Sequence, residues 1–203
     1  MKSKLENFWY YHKIKVIILI VVIITGIFIM TITGKTVDPD VLVSYVSYFN
    51  RIPKETEVSI DEYLANTIKD INKDNKKKLT LVPLDGPRVA LEFTSEGSQI
   101  VLVDGSTLRQ YIATGVFEQV DDLVNKYELD ISKNTEVRAK VEDNTEVHTY
   151  AIPMKNIPFL LKAKFPADNY YLAIRALKNK NEIAVEKNKN AHEIVEVILG
   201  YKE

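Results

Sequence analysis

Cysteine is absent from all 203 residues. That excludes disulfides, thiolate metal sites, a cysteine nucleophile and anchoring through a lipid-modified cysteine. Tryptophan occurs once, as Trp9, and histidine three times, as His12, His148 and His192. The three histidines stand alone, and no HExxH, nucleophile elbow or Walker loop accompanies them. Nothing in the sequence supports catalysis. A strong charge of one sign is missing too: 27 basic residues face 28 acidic ones, for a net of −1. Mixed, faintly acidic charge makes a poor polyanion binder and argues against nucleic acid as a partner. No internal repeat or low-complexity tract occurs. The length suits one ordinary domain, and 46% hydrophobic with 27% charged residues is normal for a folded chain.

What is present is sharply divided. Val16 to Ile32, "VIILIVVIITGIFIMTI", is an apolar run with only Thr25, Gly26 and Thr31 as mild interruptions. With Ile14 and Lys15 it reaches the roughly 20 residues a helix needs to cross a bilayer core. Its many β-branched residues are tolerated there, because unsatisfied backbone in lipid costs more than weak helix propensity. Phe8, Trp9, Tyr10 and Tyr11 precede the run where an interfacial aromatic belt sits. Residues 1–34 carry Lys2, Lys4, Lys13 and Lys15 against Glu6, a net of +3, which leaves −4 on the remainder. The lysines therefore predict a cytoplasmic amino terminus and an extracytoplasmic remainder. A cleaved signal peptide would have a shorter apolar core and small residues at the cleavage site, and "TITGKTV" offers no such pair. The expectation is an uncleaved single-pass cell-membrane anchor over 1–34 and one domain over 35–203.

In that domain, "VLVSYVSYF" (Val41–Phe49) alternates like a strand. "SIDEYLANTIKDINK" predicts a helix with Ser59 as N-cap and Glu62 completing a capping box, its Ile60, Leu64, Ile68 and Ile71 on one face. "KLTLVPL" (Lys78–Leu84) is the next strand, giving a strand–helix–strand unit of a parallel sheet. "GPRVALEFTSEG" reads as either helix or strand. "QIVLV" is apolar throughout, like a strand covered on both faces. "STLRQYIATG" predicts a helix closed by Gly115, and "DDLVNKYEL" one opened by Asp121. "TEVRAKVEDNTEVHTYAIPM" alternates on both sides of Asp143-Asn144 as a hairpin would. "YYLAIRAL" reads as a further strand, and "NEIAVEKNKNAHEIVEVIL" as a closing helix with Ala184, Ala191, Val195 and Ile198 on one stripe. The fold class is α/β with a mainly parallel sheet behind a transmembrane helix.

Taken together, "QIVLVDGSTLRQYIATGVFEQVDDL" resembles a recurrent stretch of bacterial extracellular solute-binding proteins of the ABC-transporter type. There a strand, turn and helix are followed by a Gly-apolar pair and an "LxxLDDL" element. "VHTYAIPM" is similar to the family's later Tyr-x-Ile-Pro strand, and the 41–84 unit to its opening lobe. The resemblance spans about residues 41–200 and implies a reduced, membrane-anchored relative with about one lobe, where a full member closes two over a ligand.

The candidate ligand-binding residues are Asp85, Asp104, Ser106 and Thr107. The last three follow a predicted parallel strand, where open α/β sheets present ligands. Backbone amides and the Ser106 hydroxyl can hold an anion or hydroxyl there; the same residues equally serve as caps of a strand-to-helix turn. "DINKDN" places Asp70, Asn72, Asp74 and Asn75 like the start of a calcium loop, but Leu81 occupies the place of the bidentate glutamate. A solvated turn is the expectation, with no metal or cofactor. Asp121-Asp122 read as helix-capping residues without a recognisable partner. Tyr45, Tyr48, Tyr170 and Tyr171 are either half-buried strand packing or the lining of a groove. The sequence thus points to a non-enzymatic module outside the cell that binds a partner protein, peptide or envelope component. The alternative is an accessory or sensory subunit that contacts a membrane complex through its transmembrane helix.

Overall fold

The structure is a computed structural model that describes residues 2–33, 38–47, 52–95, 97–141, 146–165, 168–178 and 180–201. The chain divides into two compact units, Met1–Asp38 and Pro39–Glu203.

The first unit is the helix α1, Lys2–Thr33. Within it Phe8–Ile29 are 22 residues apolar enough to cross a membrane, and none of that stretch is buried. At 1.5 Å per residue they cover about 33 Å, close to the thickness of a hydrocarbon core.

The second unit is a five-stranded sheet between two layers of helices. Its elements are β1 (Val41–Val46), α2 (Lys54–Leu64), β2 (Leu79–Leu84), α3 (Pro87–Thr94), β3 (Ile100–Asp104), α4 (Gly105–Tyr111), α5 (Asp121–Lys126), β4 (Arg138–Ala139), β5 (His148–Thr149), β6 (Ile152–Pro153), α6 (Pro158–Lys162), β7 (Tyr170–Ile174) and α7 (Glu182–Leu199). The order in the sheet is β2-β1-β3-β7-β6, with β4 and β5 as a separate two-stranded ladder. β1 is parallel to both β2 and β3, whereas β7 is antiparallel to β3 and to β6. Four of the five strands therefore run one way and β7 runs against them.

The chain steps from β1 to β2 and then back across β1 to β3. Right-handed crossovers put α2 and α3 on opposite faces. Ring contacts agree: Tyr63 of α2 meets Phe159 of α6 and Tyr201 just beyond α7, while Phe93 of α3 meets Tyr111 of α4 and Phe117. The strand period of two serves both layers. Ser44 of β1 reaches Glu92 of α3, and its neighbour Tyr45 packs edge-on against Phe165. β3 lies between, and Ile100, Val101, Leu102 and Val103 are all buried, as its unbroken apolar run requires.

Several sequence expectations are corrected. α2 begins at Lys54 after Pro53, not at Ser59. The Ser59 hydroxyl instead donates to the Glu55 carbonyl one turn back, and the proline's fixed φ sets the start. The helix ends at Leu64, so Ile68 and Ile71 are buried from the following loop. "GPRVALEF" resolves as α3, with Pro87 in its first turn. The "YYLAIRAL" strand exists but is antiparallel, an orientation its apolar pattern does not encode. β4 and β5 form the two arms of the expected hairpin; its turn at Asp143-Asn144, like Tyr48, lies outside the described residues.

One charged pair crosses the core. The guanidinium of Arg175 donates to Glu92 Oε1 at 2.7 Å and to the Ser98 carbonyl at 2.7 Å, and the Ser98 amide donates to the same carboxylate at 2.6 Å. Both side chains are about nine-tenths buried. A Cβ at Gly97 would collide with both groups, which accounts for glycine in "SEGS".

Candidate functional site

The carboxyl ends of β1, β2 and β3 open on one edge of the sheet, and three of the sequence candidates gather there as one unit. Asp104 is the N-cap of α4. Its Oδ1 accepts from the Ser106 amide at 2.8 Å, the Thr107 amide at 2.9 Å and the Ser106 hydroxyl at 2.5 Å, and its Oδ2 accepts from the Thr107 hydroxyl at 3.2 Å. Burial pushes this carboxyl's pKa up, but the hydrogen bonds from Ser106 and Thr107 outweigh it and hold Asp104 below the usual carboxylate range. Thr107 is buried, so the cluster's hydroxyls point largely at their own carboxylate. The arrangement is that of a saturated cap.

Asp85 stands at the end of β2, separated from Asp104 by the width of β1. It is exposed and lies 4.0 Å from the equally exposed Arg88 Nε. Gly86 follows at φ +43°, the left-handed turn that brings the chain into α3.

Sequence reasoning missed the groups beside this cap. Gly105 packs where a Cβ would lie 3.4 Å from Arg109 Nη1 and 3.5 Å from the Tyr171 ring. The Tyr171 hydroxyl donates to Glu136 Oε1 at 2.5 Å, and Asn134 Nδ2 donates to the same oxygen at 3.2 Å. Burial first, and the Glu136 carboxylate second, push the Tyr171 phenol up to about 12. The Tyr171 bond leads the effects that lower the Glu136 carboxyl. A phenol that stays protonated well above neutral pH, a carboxylate and a guanidinium thus meet at the end of β3. Such a set donates and accepts hydrogen bonds. Glu136 and Tyr171 lie 35 residues apart, and no local pattern links them.

The tyrosines divide. Tyr45 and Tyr171 are buried; Tyr170 donates its hydroxyl to the Val46 carbonyl at 2.8 Å. They are strand packing at this edge, joined by Phe165, which meets both Tyr45 and Tyr170.

The remaining candidates have acquired partners. Asp121 is not the cap of α5, whose N-cap is Val120. Its carboxylate accepts from the Thr149 amide at 3.0 Å and lies 2.9 Å from His148 Nδ1. Burial raises the Asp121 pKa, but Thr149 and His148 lower it further, and the net shift is downward. His192 Nε2 lies 2.7 Å from Glu118 Oε2. Each of these histidines, isolated in sequence, is held by a carboxylate of the 118–121 segment.

In "DINKDN", Asp70 accepts from the Asp74 and Asn75 amides, Asn72 from the Asp74 amide and Asp74 from the Lys76 amide. These oxygens shape a turn, with Lys73 and Asn75 at positive φ. Among the described residues no group of three or more potential ligands could hold a metal. A residue the sequence reading passed over governs this loop. The wholly buried Asp40 accepts from the Ile71 amide at 2.7 Å, the Asn72 amide at 3.2 Å and the Lys78 amide at 2.9 Å.

No family model matches the chain, and no curated protein matches it. Among solved structures, one similar to it is that of the bacterial solute receptor AcbH, described as having an exclusive substrate preference for b-D-galactopyranose. The two are 16% identical with a TM-score of 0.36, and the match covers 55% of this chain and 27% of that one. The matched stretch thus spans about a quarter of that receptor's length.

Proposed function

We propose that the chain is a single-pass membrane protein that presents a non-enzymatic, solute-binding-like α/β lobe outside the cell, where it recognises a protein, peptide or envelope component. The observation that carries this reading is the pairing of a fully exposed 22-residue apolar helical stretch with a separate, well-packed α/β unit. Water does not tolerate such a helix uncovered, so lipid is its natural surrounding. Lys2 and Lys4 before it, with Lys13 and Lys15 in its amino-terminal half, favour a cytoplasmic amino terminus. The resemblance of 99–123 and "VHTYAIPM" to solute-binding proteins supplies the lobe's character. The edge around Asp85, Asp104, Ser106 and Thr107 is the proposed recognition surface.

The alternative, an accessory subunit held by its transmembrane helix, is favoured by one feature. Gly26 places a small residue within the exposed apolar stretch, where another helix can approach closely, although no GxxxG accompanies it.

Crosslinking and pull-down from membranes, with the native anchor or an unrelated one, separates the two. Partners retained after the swap support the lobe, and partners lost with it sink that reading. Topology is read with a single cysteine placed at Asp85 and a membrane-impermeant maleimide on intact cells. Labelling there is expected; labelling only after lysis would reverse the proposed orientation.

A further inference from the structure

The chain enters the α/β unit at Asp40, and this buried carboxylate holds the loop that precedes β2. The Asp40 amide donates to the Lys78 carbonyl at 3.0 Å, and the Lys78 amide returns a bond to Asp40 Oδ2 at 2.9 Å. In register, Val41 pairs with Leu79, so β1 and β2 begin side by side. The Lys73–Lys78 loop is therefore fixed to the point where the tether from α1 arrives. From Thr33 to Asp40 that tether can extend no more than about 25 Å.

The loop's charges are sorted. Lys73, Lys76, Lys77 and Lys78 are exposed, and none has a carboxylate partner among the described residues. The nearby Lys69 is paired with Glu193 of α7. The acidic groups of the same loop, Asp70 and Asp74, accept from backbone amides within it, and Asp40 is buried. Four ammonium groups against the two carboxylates of Asp70 and Asp74 leave residues 70–78 with a net of +2, and a cationic loop clamped to a short membrane tether matches one partner by charge, the phosphate surface of that bilayer.

We propose that the Lys73–Lys78 loop docks on anionic lipid headgroups of the membrane that Phe8–Ile29 spans, an inference that rests on reading that stretch as a span. Docking restricts the lobe's freedom at its amino edge and leaves the carboxyl edge, with Asp85 and Asp104, as the surface open to a partner.

The lack of native cysteine makes the test direct. Full-length protein carrying Asn75→Cys, or Asp85→Cys at the other end of β2, is labelled with a fluorophore. It is reconstituted in vesicles of phosphatidylcholine alone or with about 30% phosphatidylglycerol, each containing a headgroup spin label as quencher. Quenching at 75 is expected to exceed that at 85 in the anionic vesicles, and to fall in neutral vesicles and in high salt. Each lysine at an anionic surface contributes about fivefold in occupancy. The triple variant K76Q/K77Q/K78Q should therefore lose on the order of a hundredfold and quench in anionic vesicles as in neutral ones. Quenching at 75 that ignores lipid charge, or a triple variant equal to the parent, overturns the docking while leaving the span intact. Release of the protein from both vesicle types by alkaline carbonate overturns the span itself, and the docking with it.

Discussion

Asp40 and Asp104 stand at opposite ends of the same sheet and do the same chemical work by different routes. Each carboxylate gathers backbone amides at the start of a segment. Asp104 takes amides two and three residues ahead, whereas Asp40 takes amides 31, 32 and 38 residues ahead. The local cap organises one turn. The distant one ties the start of the first strand to a whole loop and fixes the register of its neighbour. Three hydrogen bonds at Asp40 thus act across a far longer span of chain than four at Asp104.

The widest difference is expected from alanine at each site. Asp40→Ala leaves three amides of the 71–78 loop without their acceptor, and should lower unfolding free energy by about 3–5 kcal/mol. Urea denaturation followed by circular dichroism measures it. Amide exchange at Ile71 and Lys78 should quicken in step. If the loss is no greater than at Asp104, the contrast between distant and local capping fails. Asp104→Ala should lose only about 1–2 kcal/mol, the range of an N-cap.

Acid sharpens the contrast further. The folded pKa of Asp104 is depressed, so its contribution is full above the ordinary aspartate value of about 4 and is lost as pH falls through the folded value. The stability gap between the parent and Asp104→Asn should accordingly narrow below about pH 4. A gap unchanged down to pH 2 would contradict the ionised cap.

Smaller effects are expected where the polar partners are fewer. Tyr171→Phe removes the donor to Glu136 and should lose about 1 kcal/mol. It should also abolish a phenol that titrates late, near 12, in an alkaline absorbance titration. The raised value means the phenol's contribution is complete below the usual tyrosine pKa and fades as pH climbs through 12. Asn190 is the opposite of Asp40: wholly buried on α7, its amide oxygen and nitrogen have no partner among the described residues. Asn190→Leu should raise stability by about 1 kcal/mol, provided the neighbouring side chains accommodate the larger group. A loss there would show that the amide contributes to packing or specificity.

What the sequence revealed follows the same division. The β1–α2–β2 unit, the buried β3, the Asp104 turn and the closing helix were all legible, because each rests on neighbours within a few residues. The capping box at Ser59 misled because its pattern occurs inside a helix that Pro53 had already begun. The direction of β7, the Asp40 clamp, the Glu136–Tyr171 pair and the carboxylates beside His148 and His192 were not legible. Each joins residues from 27 to more than 70 positions apart, and composition does not record who meets whom.

The antiparallel β7 has a further consequence, in time rather than in space. It is the strand that joins β3 to β6, yet it comes last of the seven. Until Tyr170–Ile174 has emerged, the apolar Ile100–Val103 strand has one edge unpaired. Completion of the sheet waits on a contact spanning about 70 residues, a pairing that slows folding and exposes a sticky edge meanwhile.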